Sequence, residues 1–249
     1  MTEAFQTPIL DLASCADTVY NVHKAGDAGN QDACTPGLGW MEIRDLRTED
    51  TKSGFLGCVY KNTVDGVVVV AFRGTVMGSR TKGHGAAWKN IKTDVGLWAK
   101  SVAPNCTDIA METIGKAQKV RSAEQGIILT GHSLGGAIAV ITAVLTGKPA
   151  CTFNAPSVSK VLSGTCFGGV TVKVSNAMRN FSEDRILNFN VRFDPVSKSS
   201  TATGRVVKLP SVGFVGSQHG QGTVIKALEK TTWGKKPFDR ALADAGGSL

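Results

Sequence analysis

A short segment with the pattern Gly-x-Ser-x-Gly, spanning residues 131–135, constrains the fold of this chain more than any other feature. The apolar run from Gly126 to Gly131 predicts a buried strand, and the run of small apolar residues from Leu134 to Thr146 predicts a helix. A serine on such a strand–turn–helix is lifted above the sheet, and the neighbouring glycines avoid clashes in a strained turn. The N-terminus of the following helix can stabilise a developing oxyanion. Ser133 is therefore the first candidate catalytic residue.

Helical and extended patterns alternate along the rest of the chain. Residues Thr7 to Asn21 and Thr107 to Gln125 carry apolar side chains at helical spacing. The pair Asp65-Gly66 predicts a hairpin turn, because both residues tolerate positive φ. The short extended runs are Trp40 to Arg44, Gly54 to Lys61, Val67 to Phe72, Cys151 to Asn154, Val170 to Val174 and Ile186 to Phe193. This alternation predicts an α/β fold with a mainly parallel central sheet and helices on both faces, in a single domain covering residues 1–249.

A serine becomes a nucleophile only beside a base that an acid orients, and the sequence offers few candidates for either role. Where a serine occupies this kind of turn, the chain order is serine, acid, histidine. His219 is the single histidine after Ser133, and three carboxylates lie between them: Glu183, Asp184 and Asp194. Asp194 follows an extended run and so lies at the carboxyl end of a predicted strand, whereas Glu183 and Asp184 precede that strand. The predicted triad is Ser133, Asp194 and His219.

Several segments resemble the class 3 lipase family, the fungal-type lipases with an α/β-hydrolase fold. The matching pieces, in the family's order, are SGFLGCVYKN, VVVVAFRGT, GHSLGGAIA, TFNAPSVS, RFDPVS and QHG, within residues 7–230. The combination of AFRGT with GHSLGGA is specific, whereas either piece alone is only suggestive. The resemblance implies an α/β-hydrolase fold and hydrolysis of lipid carboxylic esters through an acyl-enzyme intermediate, without a metal or cofactor.

The resemblance also assigns roles to individual residues. It implies that Ser133 is the nucleophile, Asp194 the acid and His219 the base. It further implies an oxyanion hole formed by Thr75, the residue after FRG, and by the backbone N–H of Leu134. Loss of one such donor typically costs on the order of a hundred- to a thousand-fold in rate.

The segment after the oxyanion residue departs from the family pattern. Family members that attack oil droplets carry an apolar, amphipathic lid helix there, whereas residues 76–92 of this chain, the basic loop, are polar and glycine-rich. The basic loop contains Arg80, Lys82, Lys89 and Lys92, and each basic residue contributes about 1 kcal/mol near an anionic lipid surface. The loop therefore favours phospholipase A-type or small-ester esterase activity over triglyceride lipolysis.

The charge of the chain restricts its partners. Its 28 basic and 20 acidic residues give a net charge of +8, which favours an anionic partner. The basic residues are dispersed and aromatic residues are only 6% of the chain, so we predict no nucleic-acid binding. The expected partner is a lipid or phospholipid substrate, with peripheral contact to a membrane surface; the oligomeric state is left open. We find no cleavable signal peptide and no transmembrane segment, which predicts either a cytoplasmic protein or export by a signal-independent route.

Several alternatives remain open at this stage. The first hypothesis is a serine carboxylic-ester hydrolase that acts on lipid esters. The alternatives are an antibacterial lipase toxin that is delivered by a secretion system and neutralised by an immunity protein, a small-ester esterase, and a catalytically dead lipase-like binding module. Ser133 is alternatively a helix N-cap, Asp194 a turn former and His219 a surface histidine. His132 is expected to be a packing or loop residue and not the base. The six scattered cysteines contain no CxxC pair, and free thiols are favoured over disulfides.

Overall fold

A computed structural model of the chain describes residues 5–22, 35–74, 103–120, 126–162, 184–198, 202–213 and 218–246. Within these ranges, eight strands form one sheet. The strands are β1 (Trp40–Glu42), β2 (Thr48–Asp50), β3 (Phe55–Asn62), β4 (Val68–Phe72), β5 (Ile127–His132), β6 (Ala150–Phe153), β7 (Ile186–Val191) and β8 (Arg205–Leu209). The helices are α1 (Ile9–Thr18), α2 (Ala103–Gln118), α3 (Leu134–Thr146), α4 (Ser159–Leu162), α5 (Gln221–Glu229) and α6 (Phe238–Gly246), and a 3-10 turn spans Arg44–Leu46.

The sheet is antiparallel at one end and parallel over the rest. Its strand order is β1-β3-β4-β5-β6-β7-β8, and β2 also pairs with β3. The β1–β3, β2–β3 and β3–β4 pairs are antiparallel, whereas all pairs from β4 to β8 are parallel. Because β4 to β8 share one direction, their carboxyl ends lie along the same edge of the sheet. That edge is where a parallel α/β sheet places its site.

The central strands of the sheet have continuous apolar sequences, which explains why they are buried on both faces. Every residue of β4, β5 and β6 is buried, as expected for parallel strands that are covered on both faces. Helices α2 and α3 pack on one face, and α1, α5 and α6 pack on the other. The helix α3 is apolar all round, and its residues Leu134 to Val144 are buried. The core therefore consists of two apolar layers, one on each side of the sheet.

The α/β fold with a mainly parallel sheet and helices on both faces is confirmed. The Asp65-Gly66 turn joins the antiparallel strands β3 and β4, as predicted. The predicted strand Val170 to Val174 lies outside the described residues. Six of the described elements were not predicted: the strands β2 and β8, the helices α4, α5 and α6, and the 3-10 turn. Among the described residues, the helices are too short or too polar to cross a membrane.

Candidate active site

Ser133 occupies a strained turn between β5 and α3. Its backbone has φ 55° and ψ −126°, a positive φ that a residue with a side chain rarely adopts. The N–H of Ser133 donates to the carbonyl of Phe153 at 3.0 Å, which fixes the turn to the neighbouring strand β6. The side chain thus lies at the carboxyl edge of the sheet, immediately before the N-terminus of α3. This is the strand–turn–helix geometry that the Gly-x-Ser-x-Gly pattern predicts.

The glycine at position 135 permits the close approach that the turn requires. A Cβ on Gly135 would overlap the carbonyl oxygen of Phe72, the last residue of β4. The first turn of α3 therefore packs directly on the end of β4. This contact brings the start of α3 next to Arg73 and Gly74, the residues that follow β4.

Three side chains converge at this edge. The Nε2 atom of His219 lies 2.7 Å from Oγ of Ser133, and its Nδ1 atom lies 2.8 Å from Oδ1 of Asp194. All three residues are buried, with Asp194 only 1% exposed and Ser133 and His219 each 6% exposed. Because a carboxylate can only accept, the Nδ1–H of His219 donates to Asp194, which leaves Nε2 to accept the hydroxyl proton of Ser133. The other carboxylate oxygen, Oδ2 of Asp194, accepts the N–H of Ser197 at 2.7 Å.

The structure therefore brings together Ser133, Asp194 and His219, which the sequence selected. Asp184 lies before β7 and pairs with Arg205 at 3.3 Å, far along the strand from Asp194. Glu183 lies outside the described residues. This arrangement allows the hydroxyl proton of Ser133 to pass to the imidazole of His219 while the carboxylate of Asp194 orients the ring.

The backbone of His219 is held by polar side chains that the sequence did not single out for this purpose. Its carbonyl accepts hydrogen bonds from Nε2 of His132 at 2.5 Å and from Nδ2 of Asn154 at 3.3 Å. Asn154 also donates to the carbonyl of Gln218 at 2.9 Å. The Gln218 amide in turn exchanges two hydrogen bonds of 3.0 Å with the backbone of Val212. These contacts fix the loop that carries the imidazole.

His132 lies inside the Gly-x-Ser-x-Gly segment and is buried against His219. Burial, with the nearby His219 ring, lowers the pKa of His132 to about 3, so its imidazole is neutral. Because its Nε2 donates to the carbonyl of His219, its Nδ1 must accept, and the hydroxyl of Tyr20 lies 3.2 Å from it. His132 is a buried residue, as expected, but its side chain links two hydrogen-bonding partners.

Tyr20 extends this network to the loop after β4. Its hydroxyl accepts the N–H of Gly74 at 3.0 Å. A Cβ on Gly74 would overlap the Tyr20 hydroxyl and would lie 3.3 Å from the backbone nitrogen of Leu134. Gly74 is therefore packed against the first residue of α3. Thr75, the other predicted oxyanion residue, lies outside the described residues.

The Leu134 N–H lies at the helix N-terminus, where the first four N–H groups of a helix have no partner within the helix. Leu134 directly follows Ser133 and is the first residue of α3. Its predicted oxyanion role fits this position.

The remaining sequence features concern the basic loop, the cysteines and metal binding. The basic loop lies outside the described residues, as do Cys34 and Cys166. Cys15, Cys58 and Cys151 are buried free thiols, and Cys106 is also buried. Within the described ranges, no three His, Cys, Asp or Glu side chains are grouped so that they could hold a metal ion.

Known proteins are similar to this chain in sequence and in fold. The family model for the Tle-like phospholipase domain matches residues 11–233. An extracellular phospholipase A1 of Serratia liquefaciens is 32% identical over 152 residues, which cover 59% of this chain and 42% of that protein. The chain thus matches less than half the length of this relative. The solved structure of the Lip2 lipase of Yarrowia lipolytica superposes with a TM-score of 0.51 at 16% identity, covering 92% of both chains. This likeness confirms the α/β-hydrolase fold that the resemblance to fungal-type lipases implies.

Proposed function

Because the chain belongs to the family of Tle-like phospholipase domains, we propose that it hydrolyses carboxylic esters of phospholipids in a phospholipase A-type reaction. The observation that carries this proposal is the hydrogen-bonded chain of Ser133, His219 and Asp194 beside the N-terminus of α3. The relative from Serratia liquefaciens, a phospholipase A1, supports the phospholipid as substrate.

The first half of the reaction forms an acyl-enzyme. His219 takes the proton of the Ser133 hydroxyl at Nε2 as Oγ attacks the ester carbonyl, and the carbonyl electron pair moves onto its oxygen. The Leu134 N–H, together with Thr75, holds this oxyanion. When the tetrahedral intermediate collapses, the ester C–O bond breaks, and His219 gives its proton to the leaving lysophospholipid alkoxide.

The second half releases the fatty acid. His219 removes a proton from a water molecule, whose oxygen attacks the acyl carbonyl, and the same N–H groups hold the second oxyanion. Collapse of this intermediate returns the proton to Oγ of Ser133 and frees the carboxylic acid. Throughout the cycle Asp194 keeps the ring of His219 in one tautomer and stabilises the imidazolium form.

The test compares the wild-type protein with Ser133→Ala and His219→Ala. Fatty-acid release from phosphatidylcholine–phosphatidylglycerol vesicles and from a triglyceride emulsion is followed by mass spectrometry. We expect release from the vesicles, with a fall on the order of 10⁴-fold or more in either variant. The matched control is Ser211→Ala, an exposed serine outside the triad, whose rate should equal that of the wild type.

Two other outcomes would overturn parts of the proposal. Release mainly from triglyceride would keep the triad but exclude the phospholipid as the preferred substrate. Release that persists in Ser133→Ala, with the variant folded as judged by circular dichroism, would exclude Ser133 as nucleophile. The position of the acyl chain left on the lysophospholipid identifies which ester bond is cleaved.

A further inference from the structure

An exposed phenylalanine lies immediately before Asp194. Phe193 is 56% exposed, although the residues on either side of its turn, Val191 and Asp194, are buried. It follows β7 and therefore lies at the carboxyl edge of the sheet, the edge that carries Ser133. An exposed aromatic ring gains little from packing within the protein, so its place at the rim of the site needs another explanation.

Phe193 also has an unfavourable backbone conformation. Its φ is 65°, in the left-handed region that bulky side chains avoid. The N–H of Asp194 donates to the carbonyl of Val191 at 3.1 Å, so Phe193 is the third residue of a four-residue turn. Glycine or asparagine is favoured at this position when φ is positive. A glycine or an asparagine at position 193 would therefore give a more stable protein than the phenylalanine that is present.

The turn is fixed from both sides. The N–H of Arg192 donates to the carbonyl of Leu209 on β8 at 2.9 Å, and the N–H of Ser197 donates to the carboxylate of Asp194 at 2.7 Å. These bonds over-determine the backbone, which is how a strained residue persists in a native fold, and such residues cluster at functional sites. The ring of Phe193 is thus presented on a rigid support.

The surroundings of Phe193 are basic. Between Ile186 and Gly213 the sequence contains four basic residues, Arg192, Lys198, Arg205 and Lys208, and one acidic residue, the buried Asp194. Arg192, Lys198 and Lys208 are exposed, and no ion pair of theirs is found with another described residue. Phe193 therefore lies in a segment with several exposed cations, none of which has an ion pair within the described part of the chain.

We propose that Phe193, with Arg192 and Lys198, is a membrane anchor that docks on an anionic phospholipid bilayer. The ring enters the boundary between headgroups and acyl chains, while the two basic side chains contact lipid phosphates. The anchor rests on the proposed function, because it would place the edge that carries Ser133 against the surface that holds the substrate. The strain at Phe193 is retained because a smaller residue would not insert into the bilayer.

Binding is tested in the Ser133→Ala background, so that hydrolysis cannot alter the vesicles. The assay is sedimentation with vesicles of phosphatidylcholine plus phosphatidylglycerol. We expect Phe193→Asn to lower the partition coefficient about ten-fold. Replacing both Arg192 and Lys198 by glutamine should lower the partition coefficient on the order of thirty-fold, and should have little effect on binding to vesicles of phosphatidylcholine alone. The matched control is Leu38→Asn, which removes a fully exposed apolar side chain at the opposite edge of the sheet and should leave binding unchanged.

A stability measurement separates loss of the anchor from loss of the fold. Asparagine tolerates the left-handed region, so Phe193→Asn should raise the Tm by about 2–4 °C while it weakens binding. In the protein that retains Ser133, hydrolysis of vesicles should fall about ten-fold relative to hydrolysis of soluble p-nitrophenyl butyrate. Opposite effects of one substitution on Tm and on binding are not expected of a packing residue.

The anchor and the proposed function can fail separately. The anchor is overturned if Phe193→Asn binds vesicles as strongly as its parent. It is also overturned if Phe193→Asn has a lower Tm and hydrolyses both the vesicles and p-nitrophenyl butyrate more slowly. Binding that depends on Phe193 in a wild-type protein that hydrolyses no phospholipid overturns the proposed function and supports the anchor.

Discussion

At the level of single residues, two side chains outside the proposed triad connect His219 to the residues that follow β4. His132 binds the backbone carbonyl of His219, and Tyr20 bridges His132 to the N–H of Gly74. His219, the proposed base, and Gly74, which precedes the proposed oxyanion residue Thr75 in the sequence, are thus connected by one chain of hydrogen bonds. His132 and Gly74 are buried and Tyr20 is half-buried. The loss of one member therefore leaves a polar group without its partner and with little access to water, which costs more than an ordinary hydrogen bond.

Tyr20→Phe tests this chain by removing one oxygen atom. The Gly74 N–H and the Nδ1 atom of His132 would lose their partner, so we expect the free energy of unfolding to fall by about 1–3 kcal/mol. Because Gly74 packs against Leu134, kcat should fall about ten-fold with little change in KM. Chemical denaturation and steady-state kinetics on p-nitrophenyl butyrate measure the two effects.

Tyr60→Phe is the matched control for Tyr20→Phe. The Tyr60 hydroxyl is also buried, but its neighbour is the Cys58 thiol, a weak partner, and no standard hydrogen bond is found for it among the described residues. Its removal should change the free energy of unfolding by less than about 1 kcal/mol. Equal losses in the two variants would contradict a special role for the Tyr20 hydroxyl.

His132→Asn tests the pH dependence that a buried neutral imidazole imposes. The pKa of His132 is about 3 in the folded protein, against an ordinary value of 6.5. Below pH 6.5 this imidazole therefore binds a proton in the unfolded chain but not in the native chain. Stability is therefore lost as the pH falls, by about 1.4 kcal/mol for each pH unit below 6.5. Asp194, Tyr20 and the ring of His219 are the polar groups that face it.

The measurement is the free energy of unfolding at pH 7 and pH 5. Between these values the wild-type protein should lose about 2 kcal/mol more than His132→Asn, because the variant lacks the group that titrates only in the unfolded state. The other carboxylates and histidines are common to both proteins and cancel in the difference. An identical pH dependence for the two proteins would mean that His132 is protonated in the native state.

At the level of elements, regular structure with a strong apolar pattern was predictable, and short amphipathic elements were not. The helix α3 has the predicted bounds, Leu134–Thr146, because its apolar run is long and ends at glycine. The strand β8, Arg205–Leu209, has only two buried residues, since it lies at the end of the strand order in the described sheet. A pattern of that length cannot be distinguished from a loop by its sequence alone.

Glycines within helices provide a paired test of the packing between elements. Gly135 lies in the first turn of α3, where a Cβ would overlap the backbone of Phe72. Gly135→Ala must therefore push α3 away from β4, and we expect it to destabilise the protein by more than about 3 kcal/mol and to abolish activity. Thermal unfolding followed by circular dichroism measures the change.

Gly115→Ala is the matched substitution in α2, where a Cβ would meet no atom within 4 Å. There the only change is the gain in helix propensity, so the free energy of unfolding should rise by about 0.5–1 kcal/mol. If Gly135→Ala were as harmless as Gly115→Ala, the first turn of α3 could not lie against β4 as the structure has it.

At the level of the whole molecule, the site depends on contacts between residues far apart in the chain. The order serine, acid, histidine and the small number of candidates allowed the triad to be selected from the sequence. Tyr20, by contrast, comes from the end of α1 and meets His132, 112 positions later, only because the sheet brings α1 against β5. No local sequence pattern indicates a contact between residues so far apart, so the hydrogen bond between Tyr20 and His132 could not be predicted.

The segment that leads into α1 is held by the C-terminal helix α6. Pro8 and Pro237 form an antiparallel bridge, and the N–H of Phe5 donates to the carboxylate of Asp239 at 2.6 Å. The ring of Phe238 packs edge-on against Phe5, with centroids 6.1 Å apart and planes at 89°. The position of α1, and through it of Tyr20, therefore depends in part on contacts made by α6.

Phe238→Ala tests how much of the stability depends on the contacts between α6 and the segment before α1. Phe238 is 1% exposed, so truncation removes its packing and leaves a cavity, and we expect a loss of about 3–5 kcal/mol. For a chain of this size that corresponds to a fall in Tm of about 10 °C. Val64→Ala, which truncates an apolar side chain that is 89% exposed, should leave the Tm unchanged. A loss of less than about 1 kcal/mol in Phe238→Ala would show that the sheet and α5 hold α1 without help from α6, and that the position of Tyr20 does not depend on α6.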